Sequence, residues 1–180
     1  MRILIKILII VGIIIAIPLI VALFVKKDYV VEREIVINKP KVEVFEYIKF
    51  IKNLDNYSIW NKLDPNMKKS YKGTDGTVGF VAAWESKDIN VGVGEQEIMK
   101  IIENQRIDTK LRYKVPLESE DDDYMITEDA GNNQTKVKWG LKAEIPYPMN
   151  FMLLFRDMDK DVGIYLEQGL KNLKSVLEIK

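Results

Sequence analysis

The chain has 180 residues, 27 basic and 27 acidic, and neither cysteine nor histidine. That excludes disulfides, thiol nucleophiles, Cys/His zinc sites and imidazole acid–base chemistry, so any reaction must run on Asp, Glu, Lys, Tyr or a hydroxyl. The zero net charge hides an asymmetry: residues 1–27 hold Arg2, Lys6, Lys26 and Lys27 and no acid, leaving 23 basic against 27 acidic side chains beyond them. A mildly acidic body lacks the basic stripe that a nucleic-acid binder needs to displace counterions, so no nucleic-acid partner is expected.

Ile7 to Val25, "ILIIVGIIIAIPLIVALFV", runs 19 residues without a charge. As a helix rising about 1.5 Å per residue it spans roughly 28 Å, close to the ~30 Å hydrocarbon layer of a bilayer. A secretory signal has a shorter apolar region, about 7–15 residues, ending at a small-residue cleavage site. The ending here is "ALFVKKDY", without an A-x-A pattern. A core helix would show a polar face. The reading is an uncleaved single-pass anchor over residues 1–27, with Pro18 tolerated as a kink. Two basic residues flank each end, so positive-inside counting assigns no orientation.

Beyond the anchor, Val31, Arg33, Ile35 and Ile37 share one face of an alternating strand. Asn38-Lys39-Pro40 then turns the chain into a helix with Val44, Tyr47, Ile48 and Ile51 along one side. Proline suits a first helical turn, with Asn38 or Lys39 as the cap. "KNLDNYSIWNKLDPN" adds a short second helix and a loop. Strand-like segments follow, one wet face and one dry, as an antiparallel sheet reads. In one, Ile107, Thr109, Leu111, Tyr113 and Val115 alternate with Asp108, Lys110, Arg112 and Lys114. In another, Val137, Trp139, Leu141 and Ala143 oppose Lys136, Lys138 and Lys142. From Met149 the stripe Phe151, Phe155, Met158, Val162, Leu166, Leu170, Leu173 and Leu177 predicts one helix to the C-terminus.

That order, with "INKPKVEVFEYI" and the aromatic segment carrying Tyr57 and Trp60, resembles the START-like superfamily of polyketide cyclases/dehydrases and lipid-transport proteins (SRPBCC), in particular its membrane-anchored bacterial members. The resemblance covers residues 29–180, so residues 28–180 are expected to form a single domain. It implies an α+β helix-grip fold: a curved antiparallel sheet around a long C-terminal helix, two short helices after the first strand. It also implies a cavity between sheet and helix, with the joint at Pro40 fixing one end. Trp84, Trp139, Leu111, Tyr113, Phe155 and Met158 are the expected wall, and Tyr57, Trp60 and Met67 the entrance. Each also fits plain core.

Asp157, Asp159 and Asp161 alternate like a calcium loop, but Val162 and Gln168 stand where its glycine and bidentate glutamate belong. No metal site is expected. "ESEDDD", Glu118 to Asp123, reads as a solvated loop. "GVGEQE" lacks the third glycine and the helix of a dinucleotide loop, and no cofactor is expected. Glu95, Glu97, Glu128, Arg112 and Tyr124 are strand-borne polar residues of which one or two could face inward, but no motif nominates a catalytic pair. The expectation is a binding protein for a hydrophobic small molecule or lipid, tethered by residues 7–25 to a membrane, the bacterial inner membrane in this resemblance. The alternatives are a cyclase- or dehydratase-like enzyme using carboxylate and tyrosine, and an interaction module with a filled core.

Overall fold

A computed structural model describes residues 2–179. An N-terminal helix α1 (Arg2–Ala22) precedes strand β1 (Asp28–Ile37). Helix α2 (Lys41–Ile48), a 3-10 turn (Ile51–Asn53), α3 (Leu54–Tyr57) and α4 (Ile59–Leu63) come next. Six strands follow: β2 (Lys68–Lys72), β3 (Val81–Glu85), β4 (Val93–Ile102), β5 (Arg106–Val115), β6 (Ser119–Gly131) and β7 (Gln134–Glu144). A 3-10 segment (Met149–Leu154) leads into α5 (Met158–Glu178).

The seven strands form one antiparallel sheet ordered β1-β7-β6-β5-β4-β3-β2. β1 and β2 are consecutive strands at opposite edges. The residues between them must therefore cross the whole sheet, and they do so as the short helices. The predicted second helix is split at Ser58, whose extended backbone (ψ 133°) separates α3 from α4.

Alternation sets which side chains face the helices. Val31, Ile37, Ile98, Ile107, Met125, Val137 and Trp139 are buried in one core with Val44, Phe45 and Ile48 of α2 and Leu166, Leu170, Leu173 and Leu177 of α5. The opposite face carries cross-strand ion pairs: Arg112 with Glu95 (3.1 Å) and Glu97 (2.7 Å), Lys138 with Glu128 (2.8 Å), and Lys110 with Asp122. Exposed pairs of this kind contribute little to stability.

Three local expectations are corrected. The cap of α2 is Pro40 itself, with no side-chain hydrogen bond, rather than Asn38 or Lys39. The joint is pinned from outside: Thr135 Oγ1 donates to the Lys39 carbonyl (2.7 Å), and Glu178 accepts from the Asn38 N–H (2.7 Å). It closes the core beside Phe45 and lies outside the lining of the cavity described below.

The stripe from Met149 does not form one helix. The chain turns at Phe155–Asp157, and α5 starts only at Met158, where Asp157 accepts a capping bond from the Lys160 N–H (3.1 Å). Phe155 is left 80% exposed, its ring edge-on to Phe151.

Two glycines let α5 lie flush on the sheet. A Cβ at Gly169 would sit 2.6 Å from Trp139 Cζ3, and one at Gly163 would collide with the Arg33 guanidinium. Arg33, although on the inner face, reaches the start of α5 and forms a two-pronged pair with Asp159 (both 2.8 Å).

α1 is exposed along its length except at its end, where Ala22 is buried. It is long and apolar enough to cross a membrane. Its last carbonyls lack intrahelical partners, as in any helix. The amide of buried Asn150 donates to the carbonyl of Ala22 at the end of α1 (2.7 Å) and to that of Val25 just beyond it (2.9 Å). The Ile145 N–H donates to the Lys27 carbonyl (2.9 Å), extending the β1–β7 pairing toward the helix.

Candidate functional site

A cavity of about 150 Å³ opens between the sheet and the short helices. Its floor comes from β3 to β7, with Ala82 and Trp84, Gln96, Leu111 and Tyr113, Asp123, and Trp139 and Leu141. Ile51, Leu54, Ser58 and Trp60 form the roof, and Met67, Lys69 and Tyr71 the outer wall. α5 contributes Leu166 alone. The space therefore lies beside the terminal helix rather than beneath it, because Gly163 and Gly169 bring α5 too close to β1 and β7 to leave room.

Trp60, Trp84, Leu111, Tyr113 and Trp139 come together around the cavity, with Met67 at its wall. Trp84 meets Tyr113 edge-on (5.8 Å) and is held by its indole N–H donating to the Val91 carbonyl (3.1 Å). Trp60 stacks on Tyr165 of α5 (5.3 Å) and meets Trp139 edge-on (6.3 Å). Such arrangements fix ring positions beyond what burial alone does. Tyr57 is 1% exposed and sits behind the main space, edge-on to Trp139 (5.7 Å), at a small annex. Phe155 and Met158 line no part of the cavity. Phe155 precedes α5 and Met158 is its first residue.

The polar groups inside are not those the sequence suggested. Arg112, Glu95, Glu97 and Glu128 pair with one another or with Lys138 on the outer face. Tyr124 donates to Glu32 there (2.6 Å). On the sheet, the polar groups at the cavity and its small annex are Gln96, Thr109 and Asp123. "ESEDDD" is not a solvated loop: β6 starts at Ser119, so Asp121 and Asp123 point inward with Met125 and Thr127, and Asp122 points out. The missed signal was parity, since Asp121-x-Asp123-x-Met125-x-Thr127 pairs in register with the dry face of β7, Asp123 opposite Leu141 and Met125 opposite Trp139.

Asp123 is 7% exposed. Its Oδ1 accepts from the Trp139 indole N–H (2.7 Å), and its Oδ2 from Thr109 Oγ1 (3.0 Å) and Gln96 Nε2 (3.3 Å). Burial disfavours the charged form and pushes the carboxyl up to about 6, partly offset by the bonds from Trp139 and Thr109. Asp121 is raised by burial to about 6 as well, and its Oδ1 has no hydrogen-bond partner. Tyr113 and Tyr57 are pushed far above the ordinary phenol range, first by burial and then by the charge of nearby aspartates. Both phenols are neutral at physiological pH. Among the described residues no cation pairs with Asp123, and no group of His, Cys, Asp or Glu could hold a metal ion.

No protein-family model matches the chain, and no curated protein is similar to it in sequence. Solved structures do resemble it. Truncated norcoclaurine synthase from Thalictrum flavum has a TM-score of 0.61 at 10% identity, over 85% of this chain and 95% of that one. A protein from Nitrosospira multiformis has a TM-score of 0.60 at 16% identity, over 82% and 94%. Ara h 8.0201 has a TM-score of 0.55 at 15% identity, over 85% and 99%. The fold is the helix-grip fold of START and Bet v1-like proteins. At these identities the likeness speaks for the helix-grip architecture alone, and the chemistry rests on the cavity itself.

Proposed function

We propose that this chain is a membrane-tethered binding protein that holds a hydrophobic small molecule in the cavity between its sheet and short helices. The observation that carries the reading is an unfilled, largely aromatic and aliphatic space with a few convergent polar groups in an otherwise packed domain. A filled-core interaction module would have no such space. Its size favours a compact ligand over a diacyl lipid: an apolar cavity of about 150 Å³ takes up a molecule the size of benzene.

The tether is supported by the way α1 ends. The amide of buried Asn150 holds the carbonyls of Ala22 and Val25, so loss of the helix as a leader would remove two hydrogen bonds made by the body of the domain, each of about 0.5–1.5 kcal/mol. Asn150→Ala is expected to loosen the helix from the body, raising tryptic cleavage at Lys26 and Lys27 roughly tenfold in detergent-solubilised protein. An unchanged digestion rate would mean the contact does not hold α1.

All three tryptophans of the chain line the cavity. Native mass spectrometry of the gently solubilised full chain should release a bound apolar molecule, and its removal should change tryptophan emission. A protein that emerges empty and binds no apolar compound would end this reading.

A second reading has one observation in its favour. A buried carboxyl binding its proton near pH 6, inside a cavity, is suited to acid–base catalysis. The carboxylate–tyrosine pair that a cyclase-like mechanism would use is not formed, however: the Tyr57 hydroxyl lies on Met125 Sδ (3.6 Å), and Asp123 is bonded by Trp139, Thr109 and Gln96.

A further inference from the structure

An ionised carboxylate has about four acceptor positions on its two oxygens. Three are filled in Asp123: one on Oδ1 by Trp139, and two on Oδ2 by Thr109 and Gln96. One position on Oδ1 remains. All three donors are neutral, so the charge is solvated by hydrogen bonds but has no counter-charge. An uncompensated buried charge is expensive, and it is tolerated where function requires it. The charged groups elsewhere in the lining are already occupied: Lys69 pairs with Asp55 (2.6 Å), and the Lys52 ammonium sits over the Tyr71 ring (4.6 Å). Asp55 and Lys52 are exposed and mark the mouth; Asp123 is the charge in the depth. Around it stand the rings of Trp60, Trp84, Tyr113 and Trp139, whose faces attract cations.

We propose that the cavity's ligand is a small organic cation, a protonated amine on a single ring, its nitrogen bonded to Asp123 and its ring against the tryptophans. This rests on the cavity being a ligand site and names the class of ligand it takes. Size and charge agree, since one ring fills a space of about 150 Å³ and one ammonium completes the coordination of Oδ1. An anionic amphiphile would instead place its head on the lysines of the mouth and press its apolar end onto the carboxylate.

The experiment compares three probes of nearly equal shape on the full chain in detergent micelles, read by tryptophan emission against protein-free and denatured blanks. They are benzylamine, benzyl alcohol and benzoate. Benzylamine is expected to bind roughly ten- to a hundredfold more tightly than either, the range of a charge-assisted hydrogen bond. Asp123→Asn should bring the ratio of amine to alcohol close to one, and Asp121→Asn should preserve it.

A pH series on the unaltered chain provides a check that does not depend on the variant folding. The groups facing Asp123 are Tyr57 from α3, Tyr113 from β5 and Asp121 from β6, with Asp55 and Lys69 at the mouth; Asp108, on the other face of β5, raises the Asp123 carboxyl by its charge alone. With the Asp123 carboxyl near 6, the advantage of benzylamine should fall about tenfold between pH 8 and pH 5. Equal binding of the alcohol, tighter binding of benzoate, a pH-independent ratio, or no response to any probe would each overturn the cation assignment. An apolar molecule in the native mass spectrum would, in those cases, still leave the wider binding reading in place.

Discussion

Trp139→Ala is expected to destabilise the domain by about 3–5 kcal/mol, the usual cost of truncating a large buried aromatic. The indole is 4% exposed and lies where three elements meet. Tyr57 of α3 and Trp60 of α4 meet it edge-on at 5.7 and 6.3 Å, and Gly169 of α5 leaves just enough room for its ring. Domains of this size have about 5–15 kcal/mol in all, so this one substitution removes about a fifth of it at the least.

Two effects combine in that number, and Trp139→Phe separates them. Phenylalanine keeps most of the packing but cannot donate to Asp123 Oδ1, so it should cost about 1–3 kcal/mol, the penalty of a buried acceptor losing its donor. Urea titrations of the full chain in detergent, followed by circular dichroism, measure both variants. If alanine costs no more than phenylalanine, the indole acts through its N–H alone and packing around it is looser than the contacts indicate.

Periodicity made the sheet and the terminal helix legible, because one-sided burial writes its period directly into the sequence, whereas α1 showed as an unbroken apolar run. The strands of residues 106–115 and 134–144 alternate cleanly, with Leu111 and Tyr113 or Val137 and Trp139 on the dry side. The break at Phe155 was hidden for the same reason. Apolar residues continue at helical spacing through Met149–Phe155, although this segment is occupied with capping α1 through Asn150. No pattern within the segment announces a partner 128 residues away.

Asp123 was hidden by composition. Five acidic residues in six, Glu118 to Asp123, read as a hydrated run, and a buried carboxylate becomes tenable only when Trp139, Thr109 and Gln96 arrive from three other strands. Trp84, Leu111, Tyr113 and Trp139 face the inner side of the sheet, and packing of glycine against sheet decided where the space remained. That moved the cavity from α5 toward the short helices and left Phe155 and Met158 outside it.

The same buried carboxyls make stability depend on pH in an unusual direction. The Asp123 carboxyl holds its proton up to about pH 6 in the folded chain, against the ordinary 3.8 when unfolded. Between those values the folded state binds more protons than the unfolded one, so its stability falls as pH rises. The contribution is complete below 3.8 and lost above about 6, and amounts to about 2–3 kcal/mol for this group. Asp121, raised to about 6 by burial, acts in the same direction. The carboxyls of Glu128, Asp159 and Glu167 are lowered by Lys138, Arg33 and Lys171 and act oppositely, losing stability only as pH falls below their ordinary values of 4.5, 3.8 and 4.5. The midpoint of thermal unfolding should therefore be highest near pH 5 and decline toward pH 8, rather than rise to a plateau as it does where paired surface acids dominate. Asp123→Asn should remove about half of that decline, since an amide has no proton to lose in this range while Asp121 still titrates there. A wild-type midpoint that is flat or rising from pH 5 to pH 8 would mean that the Asp123 charge is already compensated in the folded chain, and with it the reason for a cationic guest would go.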